Sequence, residues 1–169
     1  MKALNIALLG FAQQPLPGNQ LHAAQLGRLI VQKGWTLVTG NHRGTMGAGL
    51  TQVHEGGGNS LLVLEREIPL ASGNCLSHVY YADDQQHKHR LIARYANAAV
   101  VIGGGSGSLC LSEQLLKKRK PVFAIRGSGG IVNKELSSKV LYYSESRDIV
   151  ETIETHLADS ASEDLVSHA

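Results

Sequence analysis

A β-branched run that ends in glycines and passes at once into a helix-like segment constrains this chain more than any other feature. Val100-Val101-Ile102 leads into Gly103-Gly104-Gly105-Ser106-Gly107-Ser108, and Leu109-Cys110-Leu111 follows in a helical pattern. Glycines let the backbone turn with φ > 0 and let a ligand approach the main chain with no Cβ in the way. A helix starting at such a turn aims its unpaired N–H groups and positive dipole end at the same spot. That combination is an anion site, most often for phosphate. Ser106 and Ser108 add hydroxyl donors.

The rest of the chain alternates strand-like and helix-like segments. Leu4 to Leu9 reads as a first strand closed by Gly10, and a Pro-containing loop follows, with Asn19 as the N-cap of a helix. Leu21, Ala24, Leu26, Leu29, Ile30 and Val31 give that helix its apolar face, and Gly34 ends it. Thr36 to Thr39 is a second strand. The turn Asn41-His42-Arg43-Gly44-Thr45-Met46-Gly47 opens a helix through His54, and Ser60 to Leu64 is a third strand. The segment from Glu65 to Tyr81 carries no legible motif beyond a short strand at His78 to Tyr81. A helix over Asp84 to Tyr95 precedes the strand Ala98 to Ile102. The glycine-loop helix runs to Lys118, followed by strands at Pro121 to Ile125 and, at an edge, Val140 to Tyr143. Arg147 to Leu157 is a terminal helix. These readings predict one domain over residues 1–158 and a polar tail over 159–169.

Strands alternating with helices imply right-handed βαβ units. The expected fold is therefore α/β, Rossmann-like and doubly wound, with a mainly parallel sheet covered by helices on both faces. In such sheets ligands bind at the carboxyl ends of the strands, near the switch in strand order. Both glycine turns, after Thr39 and after Ile102, fall on that rim.

Bulk properties narrow the partners. A net charge of +2 over 169 residues gives no electrostatic case for nucleic acid or a membrane surface. The basic run Lys117-Lys118-Arg119-Lys120 sits where a helix ends and complements its dipole. Cys75 and Cys110 form no disulfide framework and no metal spacing. The apolar stretch after Lys2 is too short for a signal peptide, and no segment has the ~20 apolar residues of a membrane span, so a cytoplasmic protein is expected.

Neither glycine turn is a Walker A loop, and Gly10 lacks the further glycines of a dinucleotide fingerprint. His87-Lys88-His89 suggests a metal, but histidines two apart lie on different helix faces, so no metal site is assigned. His42 and Arg43 are candidate ligand contacts. Ser106 or Ser108 as a nucleophile would need an activating base, which nothing in the motif supplies.

Taken together and in order, several short motifs resemble the lonely-guy (LOG) family and its relatives, the molybdenum-cofactor carrier proteins and the lysine-decarboxylase-like proteins. They are Leu26-Gly27-Arg28-Leu29, Gly44-Thr45-Met46-Gly47-Ala48, Ala96-Asn97-Ala98-Ala99-Val100, Gly104-Gly105-Ser106-Gly107-Ser108 and Lys120-Pro121-Val122, covering about residues 4–125. The resemblance implies a Rossmann-like fold and a site for a nucleoside 5′-monophosphate or related phosphorylated ligand, a molybdenum cofactor included, commonly in a homodimer or higher homo-oligomer. Gly104, Gly105, Ser106, Gly107 and Ser108 would hold the phosphate. Gly44, Thr45, Met46, Gly47 and Arg43 would shape the neighbouring rim.

The family's hydrolases cut the N-glycosidic bond of a nucleotide with a glutamate and an upstream arginine. Here the glutamate position is Leu111, the arginine position is Lys88, and Gly103 stands where the hydrolases usually carry proline. Lysine cannot make arginine's planar two-pronged contact. Losing one oriented electrostatic group can cost about 10²–10³ in rate. A binding or carrier protein is therefore expected rather than an efficient enzyme. The alternative is a nucleoside 5′-monophosphate phosphoribohydrolase using Asp84 or Glu113 as a displaced carboxylate. Two residues along a helix turn a side chain by about 200°, which puts Glu113 on the face away from residue 111, and Asp84 is placed to cap its helix. A third reading makes the loop structural and leaves the dimer surface as the functional part.

Overall fold

The computed structural model describes residues 3–13, 16–66, 78–133 and 136–167, with side chains through residue 157. Seven strands form one sheet: β1 (Asn5–Gly10), β2 (Thr36–Thr39), β3 (Asn59–Glu65), β4 (His78–Ala82), β5 (Ala98–Ile102), β6 (Val122–Ile125) and β7 (Leu141–Tyr143). Their order is β4-β3-β2-β1-β5-β6-β7, and every pairing is parallel. The helices are α1 (Pro17–Lys33), α2 (Gly44–Glu55), α3 (Gln85–Tyr95), α4 (Ser106–Lys117) and α5 (Ser146–Ser167), with a 3-10 turn at Gly130–Asn133. The doubly wound α/β expectation holds, and the sheet is wholly parallel.

Alternation along each strand splits the core into two layers. Ile6 and Leu8 of β1, with Val100 and Ile102 of β5, pack under α1, α2 and α5. Ala7 and Leu9, with Ala99 and Val101, pack under α3 and α4. Burial on both faces explains why the strands read as continuous apolar runs. Helices α1 and α2 cross at very close range: a Cβ on Gly27 would lie 2.5 Å from the Gly49 carbonyl oxygen.

Three local expectations change. Helix α1 begins at Pro17 with Leu16 as its cap, and Asn19 is not the cap. Asn19 is buried instead, and its Nδ2 donates to the Ser128 carbonyl at 2.9 Å, tying α1 to the segment after β6. Leu21, expected on the apolar face, is exposed. Helix α5 continues to Ser167, past the polar-tail boundary read from the sequence. Most of the unreadable Glu65–Tyr81 stretch, including Cys75, lies outside the described residues.

Strands β1 and β5 are adjacent, paired from Ile6↔Ala98 to Gly10↔Ile102, and the chain runs outward from them in opposite directions. The switch in strand order therefore opens a crevice between the loop after β1 and the loop after β5.

Candidate functional site

A cavity of about 410 Å³ fills that crevice. Its walls come from four places: Gly10–Gln13 after β1, Gly40 and Asn41 after β2, Gly105–Ser108 after β5, and Gln85, Lys88, His89 and Ile92 on α3. Leu8, Leu9, Met46 and Leu111 complete it, and no Asp or Glu is among its described lining residues.

The glycine cluster behaves as its sequence implies. Gly103 and Gly104 have φ of +68° and +97°, the left-handed region that glycine adopts freely. A Cβ on Gly103 would lie 2.8 Å from the Phe11 ring, so the turn is also tightly packed. It is braced from behind. The Gly103 N–H donates to Ser128 Oγ at 2.9 Å, Ser128 Oγ donates to the Ile125 carbonyl at 2.6 Å, and the Ile131 N–H donates to the Gly104 carbonyl at 3.1 Å. Gly105 caps α4 without a side-chain hydrogen bond, and the Leu109 N–H bonds the Gly105 carbonyl at 3.0 Å. The amides of Ser106, Gly107 and Ser108 thus have no partner within their own helix, and all three residues line the cavity. Gly104 is buried behind the loop, its Cα side against the Ser108 hydroxyl.

The second glycine turn has a different job. A Cβ on Gly44 would stand 2.2 Å from the Phe11 carbonyl oxygen, and the Thr45 amide donates to that oxygen at 3.0 Å. The start of α2 is therefore bound to the β1 loop. Gly47 packs on the His42 carbonyl, and Arg43 is exposed. Of these five residues only Met46 lines the cavity.

Helix α3 contributes three polar side chains to the cavity wall, Gln85, Lys88 and His89. Gln85 and His89 face Gly107, whose Cβ would stand 3.4 Å from Gln85 Nε2 and 3.9 Å from His89 Nε2. Burial and the neighbouring Lys88 lower the His89 pKa, with Glu65 opposing them, so this imidazole is biased toward its neutral form. Lys88 Nζ lies 3.2 Å from Glu65 Oε1 and donates to the Gly40 carbonyl at 3.4 Å. His42 is also shifted down, by burial and by Arg43. Its two ring nitrogens and the hydroxyls of Thr39 and Thr45 are buried without a hydrogen-bond partner among the described residues.

Neither displaced carboxylate reaches the cavity. Asp84 Oδ1 accepts the His87 N–H at 2.7 Å as the α3 cap, and Glu113 is exposed. Leu111, at the position of the hydrolases' acid, is buried in the cavity wall. The residues that sequence reasoning missed are the β1 loop, Gly40, Asn41, Gln85 and His89. A single glycine after β1 carried no signal, Gln85 stood in no motif, and His89 read only as a metal-ligand candidate. Lys120 does more than balance the α4 dipole: its ammonium donates to the Ala93 and Arg94 carbonyls, closing α3.

The model of the SLOG cluster4 family matches residues 3–156. The chain belongs to that family. Among curated relatives, a protein of undescribed role from Archaeoglobus fulgidus is 27% identical over 127 residues, 75% of this chain and 82% of its own length. Among solved structures, the chain is similar to the molybdenum cofactor binding protein of Rippkaea orientalis. Its TM-score is 0.81 at 21% identity, over 93% of this chain and 99% of that one. The molybdenum cofactor carrier protein of Chlamydomonas reinhardtii gives 0.78 at 19%, over 93% and 99%. DNA processing protein A of Helicobacter pylori, described for its single-stranded DNA binding, gives 0.71 at 14%, over 90% and 81%. At these identities the likeness establishes the fold. Among the described residues no helix is long and apolar enough to cross a membrane.

Proposed function

We propose that this protein binds and carries a phosphorylated nucleotide-like ligand, a nucleoside 5′-monophosphate or a cofactor of the molybdenum-cofactor type, without efficient hydrolysis. The observation that carries the reading is the start of α4. Its first turn, with no side-chain cap at Gly105, supplies Ser106, Gly107 and Ser108 to a cavity whose described walls include Lys88 and no acidic residue. A phosphate there accepts N–H bonds from Ser106, Gly107 and Ser108 along the favourable end of the helix dipole. Gln85 and the Ser106 hydroxyl are further donors within the same walls. Hydrogen bonds to a charged group contribute about 1.5–3 kcal/mol each, so the loop supplies enough for selective binding of a phosphate monoester.

Hydrolysis needs more than binding. An oxocarbenium-like transition state calls for a carboxylate beside the sugar and another group to activate water. The cavity offers Leu111 where that carboxylate would stand, and Asp84 is committed to its cap. The likeness to molybdenum cofactor carriers supports the same reading at the level of fold.

Calorimetric titration with nucleoside 5′-monophosphates and with the matching nucleosides tests it. Nucleotides should bind at least about tenfold tighter than nucleosides, a difference of 1.4 kcal/mol, and Gly107→Asp should abolish that advantage. Ribose 5-phosphate, assayed in the same samples, should stay at background. Equal binding of nucleosides would overturn the phosphate site. Release of ribose 5-phosphate that is lost in Gly107→Asp would make the protein a hydrolase.

A further inference from the structure

The loop that follows β6, Arg126-Gly127-Ser128-Gly129-Gly130-Ile131, is not among the described walls of the cavity. It packs instead against the back of the phosphate loop. A Cβ on Gly130 would stand 2.2 Å from the Gly104 carbonyl oxygen and 2.7 Å from the Phe11 ring, and Gly130 has φ of +56°. Only glycine lets the two loops come so close. We propose that the β6 loop, acting through Ser128 and the Ile131 N–H, turns the Gly105 N–H into the cavity as a fourth main-chain donor to the phosphate, with Ser128 as its positioning residue. The inference rests on the phosphate lying at the start of α4, as proposed above.

The direction follows from peptide geometry. In a trans peptide the carbonyl and the N–H point opposite ways, and the described residues contain no cis bond. The Gly104 carbonyl points back, because it accepts the Ile131 N–H at 3.1 Å. The Gly105 N–H, across that same peptide, therefore points forward. Burial agrees: Gly104 is buried, whereas Gly105 is exposed and lines the cavity. No carbonyl of the described residues accepts the Gly105 N–H. Two residues earlier a second peptide is pinned in the opposite sense. The Gly103 N–H points back to Ser128 Oγ at 2.9 Å, and the Ile102 carbonyl points toward Gly10, whose Cβ would lie 2.8 Å from it.

Ser128 is built to hold that second peptide. Its hydroxyl donates to the Ile125 carbonyl at 2.6 Å, which leaves an oxygen lone pair for the Gly103 N–H. Asn19 Nδ2 donates to the Ser128 carbonyl at 2.9 Å and fastens the loop to α1. Both side chains are buried, so water does not compete for these bonds. Ser128→Ala leaves the Gly103 N–H buried without its acceptor. The loop then relaxes to satisfy that group, at the expense of the direction of the Gly105 N–H.

Amide spectra of the isotope-labelled full chain, recorded as inorganic phosphate is added, test the proposal. In the wild type the Gly105 amide should shift downfield together with those of Ser106, Gly107 and Ser108. In Ser128→Ala, at saturating phosphate, the Gly105 shift should fall by more than half while the three helix amides keep theirs. Phosphate should also bind about three- to tenfold more weakly, the size of one hydrogen bond. Ser128→Thr keeps the hydroxyl and should restore both. A Gly105 shift that survives Ser128→Ala overturns the role given to Ser128, and so do equal losses at all four amides, which mark a general loosening of the fold. If Gly105 stays still in the wild type while the other three amides move, the phosphate site stands and this inference falls alone. If none of the four responds to phosphate, the phosphate reading falls and takes this one with it.

Discussion

His89 looks across the cavity at Gly107, its Nε2 3.9 Å from the point a Cβ on that glycine would occupy. Without ligand the imidazole is kept neutral by burial and by Lys88, with Glu65 pulling the other way and the positive end of the α4 dipole close by. A phosphate dianion at the start of α4 reverses that balance and raises the His89 pKa. Binding should then take up protons between the free His89 pKa, which burial holds below 6.5, and its raised value in the complex, and affinity should fall as pH rises through that window, by at most tenfold per unit. Titrations at pH 7 in buffers of different ionisation enthalpy measure the uptake. His89→Gln should remove it, and no buffer dependence in the wild type would place the anion away from this imidazole.

The same burial sets the stability of the free protein. Burial holds both His42 and His89 below the ordinary imidazole value of 6.5 in the folded state. Between the folded and unfolded values the unfolded chain binds more protons, so stability rises with pH. The contribution is lost as pH falls below about 6.5 and is complete above it. Urea midpoints should therefore climb from pH 5 to pH 7, and changing both histidines to Gln should flatten that rise. An unchanged slope in the double variant would mean the two rings are not desolvated as described.

Two glycines of similar appearance in the sequence should respond in opposite ways. Gly44 has φ of +59°, and its Cβ would stand 2.2 Å from the Phe11 carbonyl oxygen. Gly44→Ala should cost more than about 2 kcal/mol in denaturant unfolding, from strain and the clash together. Gly105 has φ of −118° and nothing within 4 Å of an added Cβ. Gly105→Ala should cost about 1 kcal/mol or less, the loss of a tolerated cap residue. It should still weaken nucleotide binding, because the methyl group stands at the mouth of the phosphate loop. A Gly44→Ala protein as stable as wild type would refute the docking of the β1 loop on α2.

These glycines also show where the sequence was legible. Element order and the β5–α4 turn follow from local pattern: apolar runs set the strands, and the cluster from Gly103 to Ser108 can only be a tight turn into a helix. What the turn at Gly44 packs against is not local. Its partner is Phe11, more than thirty residues away in a loop marked by one ordinary glycine. Asn19 was misassigned for the same reason, since a residue with cap chemistry near a helix start can equally serve a distant carbonyl such as that of Ser128. The Glu65–Lys88 pair exists only once α3 lies over β3, and each residue alone reads as an ordinary surface charge. Polar side chains whose partners come from non-adjacent elements are the part of the site that pattern cannot supply.

Restoring the hydrolases' two residues gives the sharpest contrast between carrier and enzyme. Leu111→Glu buries a carboxyl in the cavity wall, where Leu111 is 3% exposed. The change should cost about 1–3 kcal/mol of stability and push the new carboxyl's pKa upward. Lys88→Arg places a guanidinium beside Glu65 and the Gly40 carbonyl, which now hold the ammonium at 3.2 and 3.4 Å. Its planar fork matches a carboxylate in two-pronged fashion, so it should pair with Glu65 instead of clamping a substrate. The double variant should therefore bind nucleotides yet release no ribose 5-phosphate above background in a coupled assay. A clear gain in release over the wild type would show that the cavity already positions the glycosidic bond for attack, and the carrier reading would give way to that of a hydrolase that has lost its acid.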